Sequence, residues 1–69
     1  MLDEDTRNLI LKTLRKAEHS LTIDQVAKRA KIHRVTAAKY LAVLEAVGYI
    51  KMRRVGKAKL FLLRDRNEK

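Results

Sequence analysis

The apolar spacing of this chain changes once, at Gly48, and that change constrains the fold more than any other feature. Before Gly48, apolar residues recur at intervals of three and four, the period of a helix. After it they alternate with polar residues, the period of a strand. The helical stretch breaks into three. The first helix is predicted from about Glu4 to about Glu18, with Asp3, Glu4 and Asp5 where carboxylates suit the helix dipole and with Ile10, Leu11 and Leu14 on its inner face. Glu18-His19-Ser20 breaks it. Thr22 and Gln25 form a capping box, a hydroxyl cap and a reciprocal side chain three residues on that satisfy two orphan amides. A short helix from Ile23 to Ala30 follows, with Ile23, Val26, Ala27 and Ala30 inward. Lys31-Ile32-His33 is a turn with Ile32 pointing inward. The third helix is expected from Arg34 to Val47, with Ala37, Leu41 and Leu44 on one side, and Gly48 ends it as a left-handed cap.

Beyond Gly48 lie two β-type segments joined by Gly56-Lys57. Glycine at the first centre of a two-residue loop fits a type II′ turn. That turn sets a register: Val55 pairs with Ala58, Arg54 with Lys59, and so on outward. One face then carries Ile50, Met52, Phe61 and Leu63, and being apolar near its open end it is assigned to the core. The other carries Tyr49, Lys51, Arg53, Leu60 and Leu62. The fold class is therefore α+β, mainly α: one domain over residues 1–64 with a polar tail at 65–69. At 69 residues there is no length for a second core.

Charge narrows the partners. Lys and Arg total 17 against 8 Asp and Glu, a net charge of +9. The excess is not spread evenly. Between residues 26 and 59 stand Lys28, Arg29, Lys31, Arg34, Lys39, Lys51, Arg53, Arg54, Lys57 and Lys59, against Glu45 alone. Residues 1–25 are close to neutral. A basic field concentrated on one part of a small body points to a polyanion, nucleic acid first.

Other classes find little support. There is no Cys, hence no disulfide, thiolate metal site or thiol nucleophile. His19 and His33 have no carboxylate cluster at ligand spacing, so no metal or other cofactor is expected. His19, Ser20 and Asp24 lie close in sequence, but a loop serine without a pocket or oxyanion site makes no enzyme. No small-molecule site is evident. Only three aromatic residues, Tyr40, Tyr49 and Phe61, are available as stacking platforms for single strands. The apolar runs are too short to span a bilayer. The acidic start Leu2-Asp3-Glu4-Asp5 is unlike a signal or transit peptide, so a cytoplasmic location is expected.

The order helix, short helix, tight turn, helix, hairpin is that of a winged helix-turn-helix. Residues Leu21 to Ile32 resemble the helix-turn start of MarR- and ArsR-like transcriptional regulators. Arg34 to Leu41, with Leu44-Glu45 and Gly48-Tyr49-Ile50, resembles their recognition helix and its exit into the wing. The resemblance runs from about Ile10 to Leu63. It implies a DNA-binding transcription factor with the start of the third helix in the major groove and the wing on the adjacent backbone. Carried over by position, it nominates His33, Arg34, Val35, Thr36, Ala38 and Lys39 for the groove, and Arg53, Arg54, Lys57 and Lys59 for the wing. His33 departs from the Ser, Thr or Asn cap common in that family. The long dimerisation helices of many such regulators are also missing.

Side-chain chemistry supports the same nominations. Opposite Ala37, Leu41 and Leu44 the third helix shows Arg34, Val35, Ala38, Lys39 and Ala42, a slim face suited to a groove about 12 Å wide. Arg34 can fork onto guanine, and Val35 can meet a thymine methyl. Thr36 and Lys39 suit phosphates or base edges. Three readings stay open: a regulator that binds double-stranded DNA, a protein-interaction winged helix within a transcription or replication assembly, and a non-specific nucleic-acid binder. Leu2, Leu9, Leu60 and Leu62 fall off the expected core faces. If they gather in one exposed patch they mark an interface, and a two-fold homodimer is the expected form.

Overall fold

The computed structural model describes residues 3–64. It is a winged helix-turn-helix with the element order α1 (Glu4–Lys16), α2 (Ile23–Ala30), α3 (Arg34–Ala46), β1 (Ile50–Val55) and β2 (Ala58–Leu63). The predicted tail at 65–69, and Leu2 with it, lies outside the described residues.

Each boundary has a local cause. Helix α1 stops two residues before the expected Glu18, because Ala17 is already extended and its amide bonds back to the Leu14 carbonyl. Helix α2 starts where the capping box predicts: the Gln25 amide donates to the Thr22 hydroxyl, and the Thr22 amide donates to Gln25 Oε1. Its end is less ordinary. Lys31 takes a left-handed φ of 59°. Its amide bonds to the Lys28 carbonyl and the Ile32 amide to the Ala27 carbonyl, which is the hydrogen-bond pattern of a Schellman cap. Helix α3 ends the same way one residue short of Val47, with Gly48 at φ 91°, its amide on Glu45 and the Tyr49 amide on Leu44.

The wing has the expected register, from Val55 opposite Ala58 to Ile50 opposite Leu63. Gly56 has φ 60° while Lys57 does not have positive φ, so the left-handed residue is the first of the two, as a type II′ turn requires. On its other edge β2 meets Leu21, in an isolated bridge with hydrogen bonds of 2.9 and 2.7 Å between Leu21 and Phe61. The loop before α2 is thereby tied to the wing.

The core gathers Ile10 and Leu14 of α1, Leu21, Val26 and Ala27, the Ala37, Leu41 and Leu44 stripe of α3, and Ile50 and Phe61 of the wing. Leu11, Ile23, Ile32, Met52 and Leu63 pack against it half-buried. Tyr40 joins them. It sits at the same helical spacing as Ala37 and Leu44, and its hydroxyl accepts a 2.7 Å hydrogen bond from the Asp3 amide, tying the start of α1 to α3. Leu60 and Leu62, expected on an open outer face, are half-buried. Leu62 shares a shallow depression with Arg15, Ala17 and His19, so the end of α1 and the loop after it approach that face of the hairpin.

Candidate nucleic-acid interface

The turn between α2 and α3 is three residues long, and it projects the start of α3 from the body. His33 is the residue before the helix, extended at φ −68° and ψ 146°, and its side chain makes no capping bond. Its imidazole faces solvent. Arg34, Val35 and Lys39 are exposed, Val35 to 68%. Thr36 and Ala38 are half-buried. Of the six groove candidates, four therefore stand clear of the body and two lie on the flanks of the helix. Ala42, also exposed, continues the line from Val35.

The wing candidates Arg53, Arg54, Lys57 and Lys59 are all exposed. Arg54 and Lys59 face each other directly across the two strands. Like charges so placed destabilise a hairpin. Lys57 stands at the turn.

One open cleft brings helix and wing together. It is lined by Thr22, Ile23 and Asp24 of the α2 start, by Arg34 of α3, and by Lys57, Ala58 and Lys59 of β2 and its turn. Arg34, Lys57 and Lys59 thus converge from two elements that are distant in sequence. Within the cleft, Arg34 Nε donates to the Asp24 carboxylate, an ion pair in which each side chain is 65% exposed. Nothing in the sequence marks Asp24 for this site. It is the one carboxylate lining that cleft.

Residues 8–65 match the family described as protein adenylyltransferase SoFic-like, C-terminal domain. The chain belongs to that family. No curated protein matches it. As a fold, this SoFic-like C-terminal domain is similar to several solved structures. Human N-acetylserotonin methyltransferase, solved in complex with SAM, superposes with a TM-score of 0.80 at 14% identity, over 88% of this chain and 18% of that one. BpsR of Bordetella bronchiseptica, whose DNA binding is regulated by 6-hydroxynicotinic acid, gives 0.79 at 19% identity, over 86% and 43%. Sso10a-2, a DNA-binding protein from Sulfolobus solfataricus, gives 0.72 at 28% identity, over 87% and 63%. The chain spans less than two thirds of each. The resemblance to DNA-binding regulators read from the sequence thus holds for the fold. The SoFic-like C-terminal domain has the winged helix that such proteins use.

The remaining surface is mixed. Among the described residues no helix is long and apolar enough to cross a membrane. Of the three aromatic rings, Tyr40 and Phe61 are in the core and Tyr49 is half exposed. Leu9 is 39% exposed. With Leu60 and Leu62 half-buried, the leucine patch expected from the sequence is smaller than its residue list suggests. A second apolar area, Val43, Val47 and Tyr49, lies at the far end of α3 beside Asp3 and Glu4.

Proposed function

We propose that this domain binds double-stranded DNA, with His33, Arg34, Val35 and Lys39 at the major groove and Arg53, Arg54, Lys57 and Lys59 along the adjacent backbone. The observation that carries the reading is the open cleft that Arg34 of α3 lines together with Lys57 and Lys59 of the wing. A winged helix alone would not carry it, since a methyltransferase contains the same fold. What supports it is a recognition helix that is slim and basic at its start, next to a wing whose exposed charges are all positive. The finer role we assign is regulation of transcription in the cytoplasm, by a two-fold dimer that uses Leu9 and its surroundings. The domain's part is binding and not catalysis. In a longer family member, the adenylyl transfer that the family name describes would belong to the rest of the chain.

The experiment separates reading from holding. Arg34→Ala should lose discrimination among sites selected from a random duplex pool, at a cost of about 1–3 kcal/mol on the preferred sequence. Lys57→Ala should weaken all duplexes alike. Equal losses on preferred and random duplexes for both variants would end the recognition-helix assignment. The exposed Val43, Val47 and Tyr49 area favours a second reading, a surface for a protein partner. Failure of the wild type to hold duplex DNA at physiological salt would move the assignment there.

A further inference from the structure

We infer that Asp24 is a specificity-determining residue that acts through Arg34, a role that rests on the duplex-binding reading above. Three observations lead to it. Asp24 contributes the one carboxylate that lines the cleft where Arg34, Lys57 and Lys59 converge. Its side chain takes the Nε of Arg34, and no other polar partner of the Arg34 guanidinium occurs among the described residues. The cap of α2 does not need it, because Thr22 and Gln25 already satisfy each other's amides. A carboxylate in the first turn also suits the helix dipole, but that effect does not require a partner on the next helix.

The geometry gives Asp24 two effects with the same outcome. Holding Nε fixes the direction of the guanidinium and leaves its two terminal nitrogens as a fork, the shape that reads the acceptor edge of guanine. Its negative charge also lowers the positive potential of the cleft toward a phosphate that merely passes by. A duplex with guanine in the right place meets Arg34 already aimed. A duplex without it can use Arg34 only on a phosphate. Arg34 must then either leave Asp24 or bring the carboxylate up against the backbone, where like charges repel. The ion pair is exposed, so breaking it is cheap. Asp24 therefore grades sequences without blocking binding.

The test compares Asp24→Ala and Asp24→Asn with the wild type, in the whole chain, on a random duplex and on the sequence that the wild type selects from a random pool. Asp24→Ala should bind the random duplex up to about fivefold more tightly, the range of one exposed ion pair. Its preference for the selected sequence should fall by about tenfold, within the range of one bidentate base contact. Asp24→Asn, which keeps an acceptor for Nε and loses the charge, should retain more of that preference. In an Arg34→Ala background, Asp24→Ala should change the preference by less than about twofold, the sign that one residue acts through the other. Melting curves followed by circular dichroism check that each variant is folded. An unchanged preference in Asp24→Ala, or an equal drop with Arg34 absent, overturns the inference and leaves duplex binding standing. A wild type that binds no duplex overturns both.

Discussion

Arg54 and Lys59 sit directly opposite each other on the wing, both exposed. Such a pair is a cost to the free protein and an asset to a protein on DNA, and one substitution separates the two. Lys59→Glu converts a repelling cross-strand pair into an attracting one. Cross-strand charge pairs contribute roughly 0.2–1 kcal/mol each way, and at an exposed site the lower part of that range applies. Removing the repulsion and adding the attraction should stabilise the domain by about 0.5–1 kcal/mol. For a domain of this size that raises the melting temperature by about 3–6 °C. The same change removes one phosphate contact and sets a carboxylate against the backbone. Duplex affinity should fall by about tenfold or more on every sequence, and the salt slope should become shallower by about 0.9. Calorimetric melting and fluorescence anisotropy at several salt concentrations read both arms. Salt alone should also raise the wild-type melting temperature by screening the repulsion, and should do so less in the variant. A lower melting temperature for Lys59→Glu would refute the strand-pair argument. Unchanged affinity would refute the wing's contact with the backbone.

Three further outcomes follow from the same geometry. With about five phosphate contacts per protomer, log K for duplex DNA should fall against log salt with a slope of about −4 to −5, and a slope near zero would remove nucleic acid as the partner. Lys31→Gly should stabilise the domain by about 0.5 kcal/mol, because a left-handed backbone costs a side-chain-bearing residue more than glycine, partly offset by the freer unfolded chain; chemical denaturation that shows a loss would contradict the φ of 59° at that position. Sedimentation of the wild type against a Leu9→Glu variant should show a dimer and a monomer respectively, and a monomeric wild type at tens of micromolar without DNA would sink the dimer.

What the sequence reveals of this fold is what local chemistry controls. Thr22 and Gln25 mark the start of α2 because the capping box is complete within four residues. Gly48 and Gly56 mark a helix end and a hairpin turn because each holds a positive φ. The turn then determines the register of every pair in the wing. The features that escape are of another kind. The Leu21 bridge to Phe61 joins positions far apart in the chain, and a single bridge leaves no periodic trace. Tyr40 lies at core spacing on α3, yet its bond to the Asp3 amide depends on how α1 docks. Lys31 takes a conformation for which its residue type gives no cue. The half-burial of Leu60 and Leu62 escapes because alternation tells one face of a ribbon from the other, but not what packs over the second face. The Asp24–Arg34 pair is a contact between helices on either side of the turn. The chemistry of Arg34 is legible in the sequence, whereas Asp24 gives no such signal, since a carboxylate at a helix start is already explained by the dipole.

The placement of charge, more than the fold, argues for the function. The core is built from apolar residues, and neither Arg54 opposite Lys59 nor the three cations that line one cleft belong to it. The directly opposed Arg54 and Lys59 raise the free energy of the isolated protein. Repulsion of this kind is relieved when an anion sits between the charges, so on the proposed reading duplex binding would offset it. Residues 1–25 are nearly neutral, so the excess positive charge is confined to the part of the chain that carries α3 and the wing. A diffuse cationic coat would satisfy a coating role. A convergent set around Arg34, with a single carboxylate turning that residue, favours a protein that distinguishes one duplex from another.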